Sequence, residues 1–256
     1  MGDSHNKGSS LGEESITDYF ILNLTRLHPQ GIHSWKFNHR EESQLTGADW
    51  DWWIGSNSGW YGLLMQAKRL YLYHDNSPEK YKSLPHQIGK SGKLQVDLLI
   101  EDAKSRNMYP LYCFYNYFPN PQVKPILCSN KRPDKRAWGC TVASAHVIKE
   151  NIAKMKISAT DIFPQSQLLN CLFCPSTHQG VEDLSSRVEK QMRKMHDALE
   201  LKPNIPALRQ SPPEYITMLI NTGNISADAI EKFRLEHKRI LVTQDDELLT
   251  ARNRGY

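Results

Sequence analysis

Between Thr46 and Leu70 the chain sets two short apolar runs on either side of a single turn. Thr46-Gly47-Ala48-Asp49-Trp50-Asp51-Trp52-Trp53-Ile54 is followed, after Gly55-Ser56-Asn57-Ser58-Gly59, by a run that ends Leu64-Met65-Gln66-Ala67-Lys68-Arg69-Leu70. Aromatic and aliphatic residues flanking a Gly/Asn/Ser cluster read as two strands of a hairpin. Side chains alternate along a strand, so Asp49, Asp51 and Trp53 share one side, and Leu64, Gln66 and Lys68 share one side of the partner. A two-residue turn at Asn57-Ser58 sets Asp49 opposite Gln66, and a turn at Ser58-Gly59 sets it opposite Lys68. Directly opposed residues of an antiparallel pair face the same way, so either register gathers a carboxylate, an amide and an ammonium.

That trio suits chemistry on a phosphate. Mg²⁺ takes oxygen ligands, and so does Mn²⁺. The Asp49 carboxylate, the Gln66 side-chain carbonyl and the Ala67 backbone carbonyl can each supply one, leaving positions for water and a phosphate oxygen. Lys68 then stands beside the bound water, where it can orient or deprotonate the nucleophile or neutralise charge building on the phosphate. Asp51 shares the face and reads as a solvated neighbour, with a second-ligand role as the alternative.

Asp49, Gln66 and Lys68 in this arrangement resemble the PD-(D/E)xK superfamily of restriction-endonuclease-like enzymes, in the Mrr-like variant with glutamine in place of the third motif acid. The resemblance implies an α/β fold with an αβββαβ core and a divalent-metal-dependent nuclease acting on DNA, with RNA as the alternative substrate and defence against foreign DNA as the setting. Glutamine brings no charge, and many members add an acid from the first helix. Glu14 is the best placed candidate, and Glu42, on the approach to Asp49, is its rival. In similar nucleases a glutamine on the second helix can face the site, which draws attention to Gln95. Many such nucleases dimerise to cut both strands. The motif covers about a tenth of the chain. The blocks EESITD, TGADWDWW, QAKRL, PLYCFYN, WGC and CLFC, in this order, also resemble an uncharacterised bacterial family that spans most of the sequence.

The rest of the chain allows this reading. Of its 256 residues 39% are hydrophobic and 9% aromatic, as in a folded protein with room for a large core. No apolar run is long enough to span a membrane. Met1 to Leu11 is polar, without an apolar h-region, which predicts a disordered N-terminus on a cytoplasmic protein. Five cysteines at irregular spacing make no disulfide framework. A net charge of +4 separates nucleic-acid binding from an ordinary basic surface only weakly. Two basic clusters, Lys124 with Lys131, Arg132, Lys135 and Arg136, and Arg187 with Lys190, Arg193 and Lys194, fit either phosphate binding or a solvated face.

Periodicity places a helix from Glu14 to Leu27 with Ile16, Phe20, Leu24 and Leu27 as its apolar stripe. A strand over His33 to Phe37 precedes the hairpin; a helix over Leu94 to Arg106 and a strand over Tyr109 to Tyr117 follow it. This divides the chain into an N-terminus (1–11), a core (12–120) and an accessory, mainly helical C-terminal region packed on that core (121–256). There the pattern gives helices over Thr141 to Lys156, capped by Thr141, over Glu182 to Leu201, and over Ala227 to His237, capped by Ser226. It gives strands over Glu214 to Ile220 and Arg239 to Thr243. Trp50 and Trp52 point away from the acids and suit core packing better than base stacking, whereas Trp60 and Tyr61 near the turn are candidates to touch nucleic acid. Cys171-Leu172-Phe173-Cys174 followed by His178 has the spacing of half a zinc site, which Cys128, Cys140 or His146 could complete only by folding back. Two readings compete with the nuclease: a catalytically silent nuclease-like fold that binds nucleic acid or protein, and an effector gated by a regulatory partner through the proline-broken stretch from Pro119 to Pro133.

Overall fold

The hairpin is the centre of a mixed sheet. The computed structural model describes residues 12–37, 47–71, 80–81, 84–88, 92–116, 125–126, 138–174, 182–201, 205–233, 235 and 239–245. Strand β2 (Trp50–Ser56) turns through Asn57 and Ser58 into β3 (Gly59–Tyr71), with Ser56 opposite Gly59 and Trp50 opposite Met65. The turn is the two-residue one at Asn57-Ser58; the ladder ends at Trp50, and the Asp49 N–H beyond it bonds the Met65 carbonyl at 2.8 Å. Gly59 has φ +126°, and a Cβ there would stand 2.4 Å from the Arg209 carbonyl oxygen, so backbone conformation and close approach both call for glycine.

Helix α1 (Glu13–Leu27) leads into β1 (Ile32–Lys36). After β3 come the short β4 (Lys80–Tyr81), β5 (Gln87–Ile88) and β6 (Lys93–Leu94), then α2 (Gln95–Ser105) and β7 (Tyr109–Tyr115). The second half supplies β8 (Cys140–Ser144), α3 (Ala145–Ala153), the single turn α4 (Ala159–Ile162), β9 (Gln167–Leu168), α5 (Leu184–Ala198), α6 (Glu214–Thr222), α7 (Ala227–Phe233) and β10 (Arg239–Gln244). The large sheet runs β1-β10-β2-β3-β7-β8-β9, with β4 beside the far end of β3. β10 is parallel to β2 and antiparallel to β1, and β7 is parallel to β3. Both β2 and β7 are buried along their whole length, as strands covered on both faces must be.

One face carries Trp53, Leu64, Tyr112 and Val242 under residues of α2, α3, α6 and α7. The other carries Trp50, Trp52, Leu63, Met65 and Leu111 under α1 and α5. The protein is therefore α/β, with helices on both sides of a mixed sheet.

Several expectations change. The strand predicted over Glu214 to Ile220 is helix α6. Tyr215, Ile216 and Leu219 fall on one helical face and are buried, and Gly223 ends the helix at φ +68°. The helix predicted from Thr141 begins at Ala145 with Ser144 as its cap, because Thr141 to Ser144 pair with β7 as β8. Leu27 is 71% exposed, while Thr17 and Ile21 are the buried positions of α1. The final strand does not lie on the core as an accessory: it separates β1 from β2 inside the sheet. The N-terminus over 1–11 lies outside the described residues.

Candidate functional site

At its Asp49 end, β2 stops while β3 runs on, leaving β3 with edge groups for side chains to take. Asp49 Oδ2 accepts from the Ala67 N–H at 2.7 Å and from Gln66 Nε2 at 2.6 Å. Glu13 Oε1, from the first residue of α1, accepts from the Arg69 N–H at 3.0 Å. Ala67 and Arg69 are two apart, so their N–H groups point to the same edge. The Ala67 carbonyl shares that edge and accepts from Gln66 Nε2 at 3.0 Å.

Helix α2 closes the site from above. Its first residue, Gln95, donates Nε2 to Gln66 Oε1 at 2.9 Å and accepts from Lys68 Nζ at 2.8 Å through Oε1. The segment before Asp49 fits tightly under this helix: at Gly47, φ +66°, a Cβ would meet the Gln95 carbonyl at 2.5 Å. Gln66 and Lys68 are both buried. Tyr112, opposite Gln66 on β7, forms part of the wall. Its hydroxyl is buried without a hydrogen-bond partner among the described residues, and burial, reinforced by Asp49 and Asp97, raises its pKa and keeps it protonated.

Asp49, Gln66, Ala67 and Lys68 are thus brought together, and Gln95 joins them. The first-helix carboxylate that reaches the strand is that of Glu13. Glu14 is exposed on α1, and its backbone carbonyl accepts from Arg239 at 3.5 Å. The sequence signal that separates the two is spacing: Thr17, one turn after Glu13, is the buried residue bonded to Tyr115 at 2.8 Å, so Glu13 shares the inward face. Glu42 lies outside the described residues.

Asp51 is no solvated neighbour. It is 0% exposed and ion-paired with Arg106 from the end of α2, whose Nη1 donates to Oδ1 at 3.0 Å. Tyr215 of α6 donates to Asp51 at 3.3 Å and accepts from Arg106 at 2.8 Å and from Trp53 Nε1 at 3.1 Å. Burial opposes charge on Arg106, but Asp51 and its neighbours outweigh it and hold the guanidinium pKa above its ordinary value. Trp60 and Tyr61 are 6% and 1% exposed, which removes them as surfaces for a nucleic acid; the backbone of Trp60 pairs with Arg209. On α5, Lys190 and Arg193 are paired with Glu182 and Glu189. The basic cluster from Lys124 to Arg136, with Cys128 and His178, lies outside the described residues.

No group of three or more His, Cys, Asp or Glu able to hold a metal occurs among the described residues. Cys171 is buried and Cys174 partly so, without such a cluster. The edge of β3 nonetheless carries oxygens of the hard kind that Mg²⁺ takes, two carboxylates and a backbone carbonyl, while the Gln66 amide oxygen, another such donor, is turned to Gln95. A single nitrogen, Gln66 Nε2, spans Asp49 and the Ala67 carbonyl where a cation would share them, so the donor set fits.

Fold and site define a mixed α/β protein with a carboxylate, two glutamines and a lysine linked at one end of its sheet. The chain belongs to a Family of unknown function (DUF6615), whose model it matches over residues 1–248. No curated protein and no solved structure matches it. No helix among the described residues is long and apolar enough to cross a membrane.

Proposed function

We propose that the protein is a divalent-metal-dependent nuclease that hydrolyses phosphodiester bonds of DNA, with a PD-(D/E)xK-like site in its D…QxK form. The observation that carries this reading is the hydrogen-bonded set of Asp49, Gln66 and Lys68 around the Ala67 carbonyl. Asp49, the Ala67 carbonyl, Gln66 and Glu13 would hold Mg²⁺ or Mn²⁺, which when bound polarises the phosphate and acidifies water. Asp49 fixes the strand edge through the Ala67 N–H, and Gln95 holds Lys68 within the site. Lys68 supplies positive charge beside the scissile phosphate and a group able to orient the attacking water. With the two-residue strands β4, β5 and β6 set aside, the element order α1-β1-β2-β3-α2-β7 supports a restriction-endonuclease-like core, with β10 as an added strand.

The test is cleavage of plasmid DNA, single-stranded DNA and RNA with Mg²⁺, with Mn²⁺ and with EDTA. We expect cleavage that requires metal and falls by about 100-fold or more in Lys68→Ala. Wild-type protein inactive on every substrate would overturn the reading.

One observation favours a silent binding fold as the second reading: the Gln66 amide already satisfies Asp49 and the Ala67 carbonyl without a cation. Melting separates the two. A working site is stabilised by Mg²⁺ and loses that response in Asp49→Asn, whereas a silent one gives no response.

A further inference from the structure

The four site side chains form a row of hydrogen bonds with only one direction open to it. An ammonium can only donate, and an ionised carboxylate can only accept. Facing Lys68 Nζ at 2.8 Å, Gln95 must present Oε1, which turns its Nε2 toward Gln66. Gln66 must answer with Oε1, at 2.9 Å, and its Nε2 is left facing Asp49 at 2.6 Å and the Ala67 carbonyl at 3.0 Å. The two ends fix both amide orientations, which are otherwise interchangeable in shape.

We propose that Gln66 and Gln95 form an amide relay that couples cation capture at Asp49 to release of Lys68 from α2. This rests on the reading of Asp49 and the Ala67 carbonyl as cation ligands. To share a cation with them, Gln66 must present oxygen where its nitrogen now sits. Its Nε2 then faces the Nε2 of Gln95, donor against donor, until Gln95 turns as well. Gln95, once turned, presents Nε2 to the Lys68 ammonium, and their hydrogen bond is lost. In the opposite direction, Lys68 seated on Gln95 holds Gln66 in the orientation that excludes a cation. By linkage, cation binding and the seating of Lys68 on Gln95 weaken each other equally. Gln95 is a positioning residue, and Lys68 leaves Gln95 only when the site is filled.

The experiment is a Mg²⁺ titration of the full chain, following the side-chain amide signals of Gln66 and Gln95 and the ε-carbon signal of Lys68 by NMR, with calorimetry for affinity. In the wild type all three signals should move on one binding curve. In Gln95→Leu, Gln66 should still respond, Lys68 should not, and Kd should fall about tenfold, the worth of a charge-assisted hydrogen bond that no longer resists binding. Gln95→Met repeats the test if circular dichroism shows the leucine variant misfolded. Mg²⁺ binding that moves Gln66 alone, or an unchanged Kd in both variants, overturns the relay and leaves the cation site standing. No heat and no shift in the wild type at saturating Mg²⁺ overturns the cation site and the relay with it.

Discussion

Asp51 lies buried between Arg106 and Tyr215, while Asp49, two residues earlier on the same face, accepts from Gln66 and Ala67 at the open edge of β3. The first is a structural charge. Removing it takes the two-oxygen partner from the partly buried Arg106 guanidinium and leaves it Asp102 at 3.6 Å, so Asp51→Ala should cost about 3 kcal/mol in denaturant unfolding, and the double variant Asp51→Leu/Arg106→Met should recover most of that loss. The sequence put both aspartates on one face, where Asp51 reads as a solvated neighbour, since strand alternation gives the face but not what lies above it. Helix α2 decides that, with Arg106 at one end and Gln95 at the other. A second residue-scale effect concerns acid. Burial, aided by repulsion from His196 and Lys149, lowers His146 to about 4, and burial lowers His196 as well. A folded pKa below the unfolded value of about 6.5 means that the unfolded chain binds more protons, so this contribution is complete above about pH 6.5 and fades toward pH 4. His146→Gln should flatten the melting temperature over that window.

Single residues also pin whole elements. Asp183 caps α5 by accepting from the Ser186 N–H at 3.1 Å, and with its other oxygen it accepts from the Ser58 N–H at 2.7 Å, tying the helix to the β2–β3 turn. Burial raises its pKa, but the hydrogen bonds from Ser58 and Ser186 outweigh this and hold it at about 2. Folded pKa below unfolded places the stabilisation above about pH 4, and it is lost as pH falls toward 2. Asp183→Ala should cost about 1–2 kcal/mol at neutral pH and remove that part of the acid sensitivity. Elements whose period is intact were legible. The hairpin was legible to within two registers, and α1, α2 and α5 followed from the spacing of their apolar and charged residues. Helix α6 was not, although Tyr215, Ile216 and Leu219 carry helical spacing, because its β-prone residues after two prolines also suit a strand. From the residues alone Gln95 was legible as a helix-start amide, and the nuclease resemblance alone drew attention to it, since the packing of α2 over β3 leaves no mark on local periodicity.

The placement of β10 joins the two halves of the chain in one sheet. Ile240 to Gln244 pair with Asp51 to Gly55 on one side, and Arg239 to Thr243 pair with Ile32 to Lys36 on the other. A chain ended at residue 238 should therefore lack a stable core, losing cooperative melting and protection of the β2 amides from hydrogen exchange. A truncation that melts like the full chain would show instead that the first half folds alone. Sequence could not reveal this topology, because a six-residue apolar strand carries no record of its neighbours. The arrangement also sets when the site can exist during synthesis. Domains assemble as their residues emerge from the ribosome, yet here the strand beside Asp51, Arg239 to Gln244, is made long after it. A nascent chain holding Asp49, Gln66, Lys68 and Gln95 still lacks the neighbour that seats β2, so the assembly of the site waits until β10 has been made.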